Sequence, residues 1–521
     1  MSKFSVVTTE VVTTLLTGKI HPMKKQLPAF LLPRIRHILF LAVLSGALML
    51  GPRMLSIDSD LGRHLTLGQF ILDQREIPTI DILSLTKNGE PRPPYEWIAQ
   101  LLFALSFRLA GMDGVLALTG LLIALALTLV YSDAVRRSGL PLSALVLAAL
   151  AAGASSLHWL PRPHVFTFLL FVIWLERLER VQSGEKIPLW LFPALMLLWA
   201  NTHGGFIFGF LAWLAYLAGW IWESILYRRF WTGLLGLPHA EAGKKFTFIG
   251  LSAFIASIVT PSGWGNWQAV LNNNSRFILS RTFETMPPDL LQTNAWPFLL
   301  LLILAVILTA LDKQRAAGHI FLLLGFGLLG LLMARNIPLF ALAATPVMAA
   351  SARRMLNQAK VRVRIEARLV EIEAGLRGFV WPLAATLTVL SMFTYQHWRS
   401  ASSIYQFNPS VFPAAAADWL AAHPQSGNMF NEFNWGGYLL FRLWPDQKVF
   451  LDSQTDFYGE EIMRLYEQAV TGKDWRTAFE RYAVEWAIIQ PDSGLARTLH
   501  VEESWQILYE DQVAIVLRRA R

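Results

Sequence analysis

The stretch "RHILFLAVLSGALMLGPRMLSIDSDLGRHL", residues 36–65, decides the fold. A basic start leads into an apolar run about as long as a bilayer is thick, and the run ends in Asp58, Asp60, Arg63 and His64. The run reads as a first membrane span. What the charged cluster does then depends on which side of the membrane it emerges.

The remainder of the chain repeats the apolar theme. Its 521 residues are 54% hydrophobic and 16% charged, with a mean hydropathy of +0.41, well away from an ordinary soluble domain. About eleven windows are long and apolar enough to serve as spans, centred near residues 44, 123, 149, 171, 194, 215, 253, 304, 325, 344 and 387. The expected fold is a polytopic α-helical membrane protein. "LPAFLLPRIRHILFLAVLSGALML" lacks a small-residue cleavage pattern and reads as a retained anchor.

The net charge of +8 is segregated. If the N-terminus is cytoplasmic and the spans alternate, the inner segments hold the basic residues of the first 36 positions, Arg136, Arg137, Arg177, Arg180, Lys186, Arg228, Arg229, Lys244, Lys245, Lys313, Arg315 and the run from Arg353 to Arg377. The short outer loops hold only Arg162, Arg276, Arg281 and Arg335. The positive-inside rule then predicts N-in and C-out. The basic excess is a topology signal that also suits anionic lipid headgroups, and no nucleic-acid partner is expected. With no cysteine, disulfides and thiolate chemistry are excluded.

Three regions follow: a basic cytoplasmic N-terminus, 1–36; a transmembrane domain, 37–396, with a long outer loop, 53–113; and a soluble extracytoplasmic α/β domain, 397–521. In the outer loop, "YEWIAQLLFALSFRLAG" reads as an interfacial helix, since making it a span would turn Arg136 and Arg137 outward. In the last region, helical patterns ("PAAAADWLAAH", "GEEIMRLYEQAV", "DWRTAFERYAV") alternate with strand-like runs ("KVFLDS", "EWAIIQ", "SWQILY", "VAIVLRR"). The loop at 260–289 is long enough to suggest a lid or binding loop.

With this topology, polar residues at the outer ends of the spans converge: Asp58, Asp60, Arg63, His64, Glu96, His158, Arg162, His164, Asn201, His203, Trp264, Asn266, Trp267, Arg335 and Asn336. Ionisable groups at membrane depth are costly and mark functional cavities. Singly, each has a plainer reading. Asp58 could cap the next helix, Asp60 and His64 could form an i,i+4 surface pair, and the tryptophans could be interfacial anchors. Inner loops show nothing comparable beyond basic residues, so the outer clustering favours one polar cavity.

Two aspartates, Glu96 and the histidines could also hold a divalent ion, and so oxygen-rich a set suits Mg, Mn or Ca better than Zn. No nucleophile-elbow, phosphate-loop or dinucleotide pattern occurs, which argues against hydrolase and nucleotide-driven chemistry.

An apolar first span ending in Asp58, a helix, "IP" with a short "NGEP", then "PPYEWIAQLLFALSFRLAG", a second span and a cytoplasmic "RR" resembles the N-terminal third of the GT-C class of membrane glycosyltransferases, in the style of the aminoarabinose and protein mannosyl transferases and the bacterial Rgt-like group. The resemblance covers roughly residues 37–180. It implies sugar transfer at the outer face of the plasma membrane from a polyprenyl-phosphate carrier to an extracytoplasmic glycan, lipid or protein acceptor, with the aspartate after the first span as base: Asp58, or Asp60 as the near alternative. Where that class often has a further acidic residue, this chain has "HWLPRPH".

Glycosyl transfer needs a base for the acceptor hydroxyl and charge stabilisation for the leaving phosphate. Arg162 and Arg335, then Arg63, match phosphate best. His64, His158, His164 and His203 could donate to phosphate or sugar, Trp97, Trp159, Trp264 and Trp267 offer stacking faces, and Glu284 could enter from the 260–289 loop. Two other classes remain open: a ligase- or polymerase-like enzyme that uses arginine and histidine instead of Asp58, and a transporter or non-catalytic scaffold for lipid-linked sugars.

Overall fold

The computed structural model describes residues 31–230, 239–271, 275–280, 282–361, 363–401 and 403–520. The basic residues before position 31, Arg281, Arg362 and the "NNN" of the 260–289 loop lie outside it, as do the side chains of Arg228 and Arg229.

The chain begins with α1 (Ile35–Met49) and α2 (Gly51–Ile57), which meet at 48°. Pro52, at the start of α2, has no amide hydrogen to continue the ladder. Next come α3 (Leu61–Gln74) and α4 (Trp97–Ser138). The latter is two helices joined across a kink, where Ala110 leaves helical geometry and Gly111 takes φ 60°, a conformation that glycine adopts without penalty. The "YEWIAQLLFALSFRLAG" segment is thus distinct from the long apolar helix that follows it.

The bundle continues with α5 (Pro141–Ser155), α6 (His164–Gln182), α7 (Leu191–Ala200), α8 (Phe206–Phe230), α9 (His239–Ile258), two short helices α10 (Gly265–Leu271) and α11 (Arg276–Leu279), then α12 (Trp296–Leu311), α13 (Ala317–Leu332), α14 (Ile337–Gln358), α15 (Arg364–Gly375) and α16 (Val380–Ser400). Every one of the eleven expected centres falls on a helix. Among the described residues, four helices are long and apolar enough to cross a membrane, or up to six if each bent pair counts as one span. The difference from eleven lies partly in length, since α7 has 10 residues and α13 has 16, short of the 17 or so that a perpendicular span needs, and partly in composition, since α6, α9 and α14 have 19, 20 and 22 residues but lack a sufficiently apolar, charge-poor stretch of span length. Large apolar side chains such as Val146, Leu251, Ile255, Val306, Leu324 and Leu387 are exposed along the bundle, as a lipid-facing surface requires and a water-facing one disfavours.

α15 ties the ends of other helices together. The Glu366 carboxylate accepts from the Leu142 and Ser143 amides at the start of α5, at 2.8 and 3.0 Å, and Glu373 accepts from the Ile35 amide at the start of α1. Both acids neutralise free N–H groups at the positive end of a helix.

After α16 the chain turns back, with Asp113 accepting from the Ile404 and Tyr405 amides at 2.9 and 2.8 Å. The C-terminal domain comprises α17 (Ala414–Ala422), β1 (Asn428–Asn431), α18 (Gly436–Leu443), α19 (Thr455–Val470), α20 (Trp475–Arg481), β2 (Val484–Ile489), α21 (Gly494–Val501), β3 (Trp505–Glu510) and β4 (Ile515–Arg519). The sheet order is β1-β2-β4-β3, with β1 and β2 parallel and the other pairs antiparallel. Trp486, Ala487, Ile488 and Ile489 of β2 are all buried, as a central strand covered on both faces must be. Three of the four strand-like runs are strands. "KVFLDS" is not: it is an extended segment whose Val449 bridges Ser84 of the 53–113 loop, and "NMFN", which lacks the alternation of a strand, forms β1 instead.

That bridge welds domain to bundle. Leu85 N–H donates to Val449 O at 2.7 Å and Val449 N–H to Leu83 O at 3.2 Å. At a further contact, α18 crosses α3 at Gly62 and Gly437. A methyl group on Gly62 would overlap the Gly437 carbonyl, and one on Gly437 would overlap the Ser59 carbonyl. Only two glycines let the backbones approach this closely.

Candidate active site

Asp58 ends α2 and its carboxylate is fully buried. Oδ1 accepts from the Asp60 and Leu61 amides at 2.8 and 3.1 Å and from Arg162 Nε at 2.9 Å. Capping is therefore real, but it uses one oxygen. Oδ2 is buried without a hydrogen-bond partner. Burial, outweighing the pull of Arg162, raises the carboxyl above its usual range.

Asp60 differs. It pairs not with His64 but with two arginines, Oδ1 to Arg63 at 3.0 Å and Oδ2 to Arg162 at 2.8 Å, and it also accepts from the Ser453 hydroxyl of the C-terminal domain. Burial works to raise its pKa, yet Arg162 and Arg63 overcome it and hold the group well below the ordinary carboxylate range. Two aspartates two residues apart are thereby driven in opposite directions.

Arg162, in the turn between α5 and α6, sits at the centre. Besides Asp58 and Asp60, its Nη1 meets Glu284 Oε1 at 3.1 Å. Glu284 is thus already docked on the site, and its Oε2 lies 3.5 Å from His158 Nδ1. Arg335, in the turn between α13 and α14, is half-buried and makes no ion pair or side-chain hydrogen bond among the described residues. It faces the same centre: its charge adds to burial and to His164 in holding His203 down to about 3. His158 and His164 stack with centroids 4.2 Å apart, and His203 lies 6.5 Å from His164.

On the other flank, Arg63 approaches Glu96 at 3.7 Å and Asp452 at 3.6 Å and donates to Gln454 at 3.2 Å. Glu96 is largely buried, 3.9 Å from His64, and burial, against the pull of Arg63, pushes it up to about 7. Arg92 pairs with Asp81 at 2.6 Å and stacks over Phe457. A narrow cleft lined by Arg63, Arg92, Tyr95, Glu96, Gln100 and Gln454 opens here.

The remaining expected residues brace the scaffold. Asn201 accepts from Trp97 Nε1 at 2.8 Å and donates to two carbonyls. Asn336 donates to Leu329 O and Asn266 to Ala200 O. Trp267 is buried among Phe206, Phe210 and Phe254 with its indole on Ser257, while Trp264 stacks on it and stays exposed. Trp159 is buried against Ser155.

Sequence reasoning missed two groups. Asp81, Arg92, Ser453 and Gln454 belong to the site, yet no local pattern marks them: Asp81 and Arg92 pair across 11 residues of loop, and Ser453 and Gln454 meet Asp60, Arg63 and Arg92 from more than 360 residues away. The second lies at the opposite end of the bundle, where only simple basic residues were expected. There Glu179 Oε2 takes Arg137 at 2.9 Å, His319 at 2.7 Å and Tyr216 at 2.9 Å, and Arg137 also pairs with Asp133 at 2.6 Å. Single ionisable residues inside apolar helices were the available signal.

A divalent ion fits this arrangement poorly. The carboxylates that would ligate it converge instead on the Arg162 guanidinium, and among the described residues no three His, Asp or Glu side chains are placed to hold a metal.

No protein-family pattern matches the chain, and no curated protein matches it. Among solved structures, the chain is similar to the oligosaccharyltransferase of Archaeoglobus fulgidus in its apo form, at 11% sequence identity and a TM-score of 0.47, over 86% of this chain and 69% of that one. At that distance the likeness assigns no role to any residue here.

Proposed function

We propose that this protein is a membrane glycosyltransferase of the GT-C type that moves a sugar from a polyprenyl-phosphate carrier to an acceptor on the outer face of the plasma membrane. The observation that carries this reading is the divided Asp58 carboxylate: one oxygen is held by Arg162 and two amides, while the other is buried, unpartnered and on a group of raised proton affinity. A general base needs an orienting contact, a free oxygen and a pKa moved toward the working pH.

In the proposed step, Asp58 Oδ2 takes the proton of an acceptor hydroxyl as that oxygen attacks the anomeric carbon. The carbon–oxygen bond to the carrier breaks, its electron pair stays on the phosphate, and the configuration inverts. Arg335, which unlike Arg63, Arg92 and Arg162 has no carboxylate partner among the described residues, receives the phosphate. The segment Asp452–Asp456 and the cleft beside Glu96 face the acceptor. The basic inner loops support N-in and C-out, which puts the site and the C-terminal domain outside.

Transfer of labelled sugar from a panel of polyprenyl-phosphate sugars, by purified protein in liposomes, tests this. Asp58→Asn keeps the capping oxygen and loses the base, so transfer should fall by about a hundredfold or more with folding intact. Activity retained in that variant would move the chemistry to Arg162 and the His158, His164 and His203 group, as in a ligase-like enzyme. A second reading, transport of the lipid-linked sugar, draws on the buried Glu179 cluster at the other end of the bundle; scrambling of lipid-linked sugar without transfer would favour it.

A further inference from the structure

We infer that Arg162 is the built-in cation of this site: its guanidinium holds the place that a divalent metal would take among Asp58, Asp60 and Glu284, so the site works without metal and gains a metal site when the guanidinium is removed.

The geometry is that of a ligand sphere around one central charge. Three carboxylates from two separate parts of the chain, the turn at 58–60 and the 260–289 loop, contact a single side chain, Asp58 Oδ1 on Nε at 2.9 Å, Asp60 Oδ2 on Nη1 at 2.8 Å and Glu284 Oε1 on Nη1 at 3.1 Å. Carboxylates so close repel one another unless a cation lies between them. Arginine supplies one positive charge that cannot be titrated away, and its planar fork fixes the directions of the oxygens. Pro161 and Pro163, both buried, flank it and limit the backbone from which it projects. The buried, unpartnered Oδ2 of Asp58 adds a fourth oxygen with no bond of its own. Taking away the guanidinium would leave Asp58, Asp60 and Glu284 around a vacated volume, an all-oxygen, highly anionic donor set of the kind that suits Mg or Mn.

The test uses full-length protein in lipid nanodiscs and free Mn²⁺ as the probe, titrated and read by electron paramagnetic resonance. Wild type should show no saturable site. Arg162→Ala should bind one Mn²⁺ at least tenfold more tightly than wild type, lose it on further Asp60→Asn substitution, and unfold at a higher temperature with Mn²⁺ than without. Arg162→Lys, which keeps a cation in place, should remain free of Mn²⁺. Stoichiometric Mn²⁺ binding by wild type, abolished by Asp60→Asn, would overturn the inference, and so would a folded Arg162→Ala that binds no more than wild type. If Arg162→Ala does not fold, Arg162→Gln is read by the same criteria. Only the corollary, sugar transfer unaffected by a chelator, rests on the glycosyltransferase reading, so failure of that reading leaves the Mn²⁺ result intact.

Discussion

Arg162 and Glu284 meet at 3.1 Å although 122 residues separate them in sequence. The contact docks the 282–289 end of the 260–289 loop on the arginine that also holds Asp58 and Asp60, and the Ala334 amide, beside Arg335, holds the same end through Met286 O at 2.9 Å. Loop and site are one unit in this state.

Glu284→Gln weakens the charged part of that docking and leaves Arg162 with Asp58 and Asp60. Because a charged hydrogen bond is worth roughly 1.5–3 kcal/mol and a neutral one less, amide hydrogen exchange in residues 282–289 should quicken by about tenfold while exchange in the helical core stays unchanged. Uniform quickening throughout would mean that Glu284 supports the whole fold.

Glu96 gives the site a pH response near neutrality. Its pKa is raised in the folded chain to about 7, so the folded state binds the proton more tightly than the unfolded one, and stability conferred by the protonated form is lost as pH rises through the folded value. Thermal unfolding temperature should therefore decline between about pH 5 and about pH 7, and Glu96→Gln should flatten that segment of the profile. An identical slope in the variant would assign the response to another group.

Arg335 has no partner to strand among the described residues, so Arg335→Ala should leave thermal stability within about 0.5 kcal/mol of wild type. If it receives the carrier phosphate, the donor KM should rise tenfold or more, with partial recovery in Arg335→Lys, whose charge remains but whose fork is gone. A KM unchanged in both variants would remove the residue from the donor site.

Glu179 is the hub of the buried cluster at the other end of the bundle. Glu179→Ala would leave Arg137 with Asp133 alone and would strand the Tyr216 hydroxyl and His319 Nε2. Breaking a buried pair by removing one partner costs about 3–5 kcal/mol, so the unfolding temperature should fall by several degrees. A drop in lipid scrambling without any loss of stability would instead point to transport.

The order of helices was legible because apolar runs of bilayer length announce themselves locally, and the polar cluster was legible because Asp58, Asp60, Arg63 and His64 follow the first run directly. What the sequence concealed is of another kind. Ser453 and Gln454 sit in an unremarkable "DSQTD", and only the folding of α18 onto α3 carries them to Asp60 and Arg63. Glu179 and His319 were visible as single polar letters in apolar surroundings, but their pairing needs α6 and α13 side by side. "KVFLDS" has the composition of a strand, yet its edge partner is the bundle's own loop at Leu83 and Leu85, which no local propensity can reveal. Asp58 was foreseen as either cap or base; its two oxygens are in different environments, a distinction made by distant Arg162.

The mutual approach of Gly62 and Gly437 bears on how such a protein can diverge. Because each backbone fills the space that a side chain on the other would need, the C-terminal domain is not a cassette that recombination can exchange freely. A chimera built from two homologous parents should keep a sealed joint only when residues 59–63 and 436–438 carry glycine on both sides, so sequence can drift through the rest of the C-terminal domain while this crossing stays frozen.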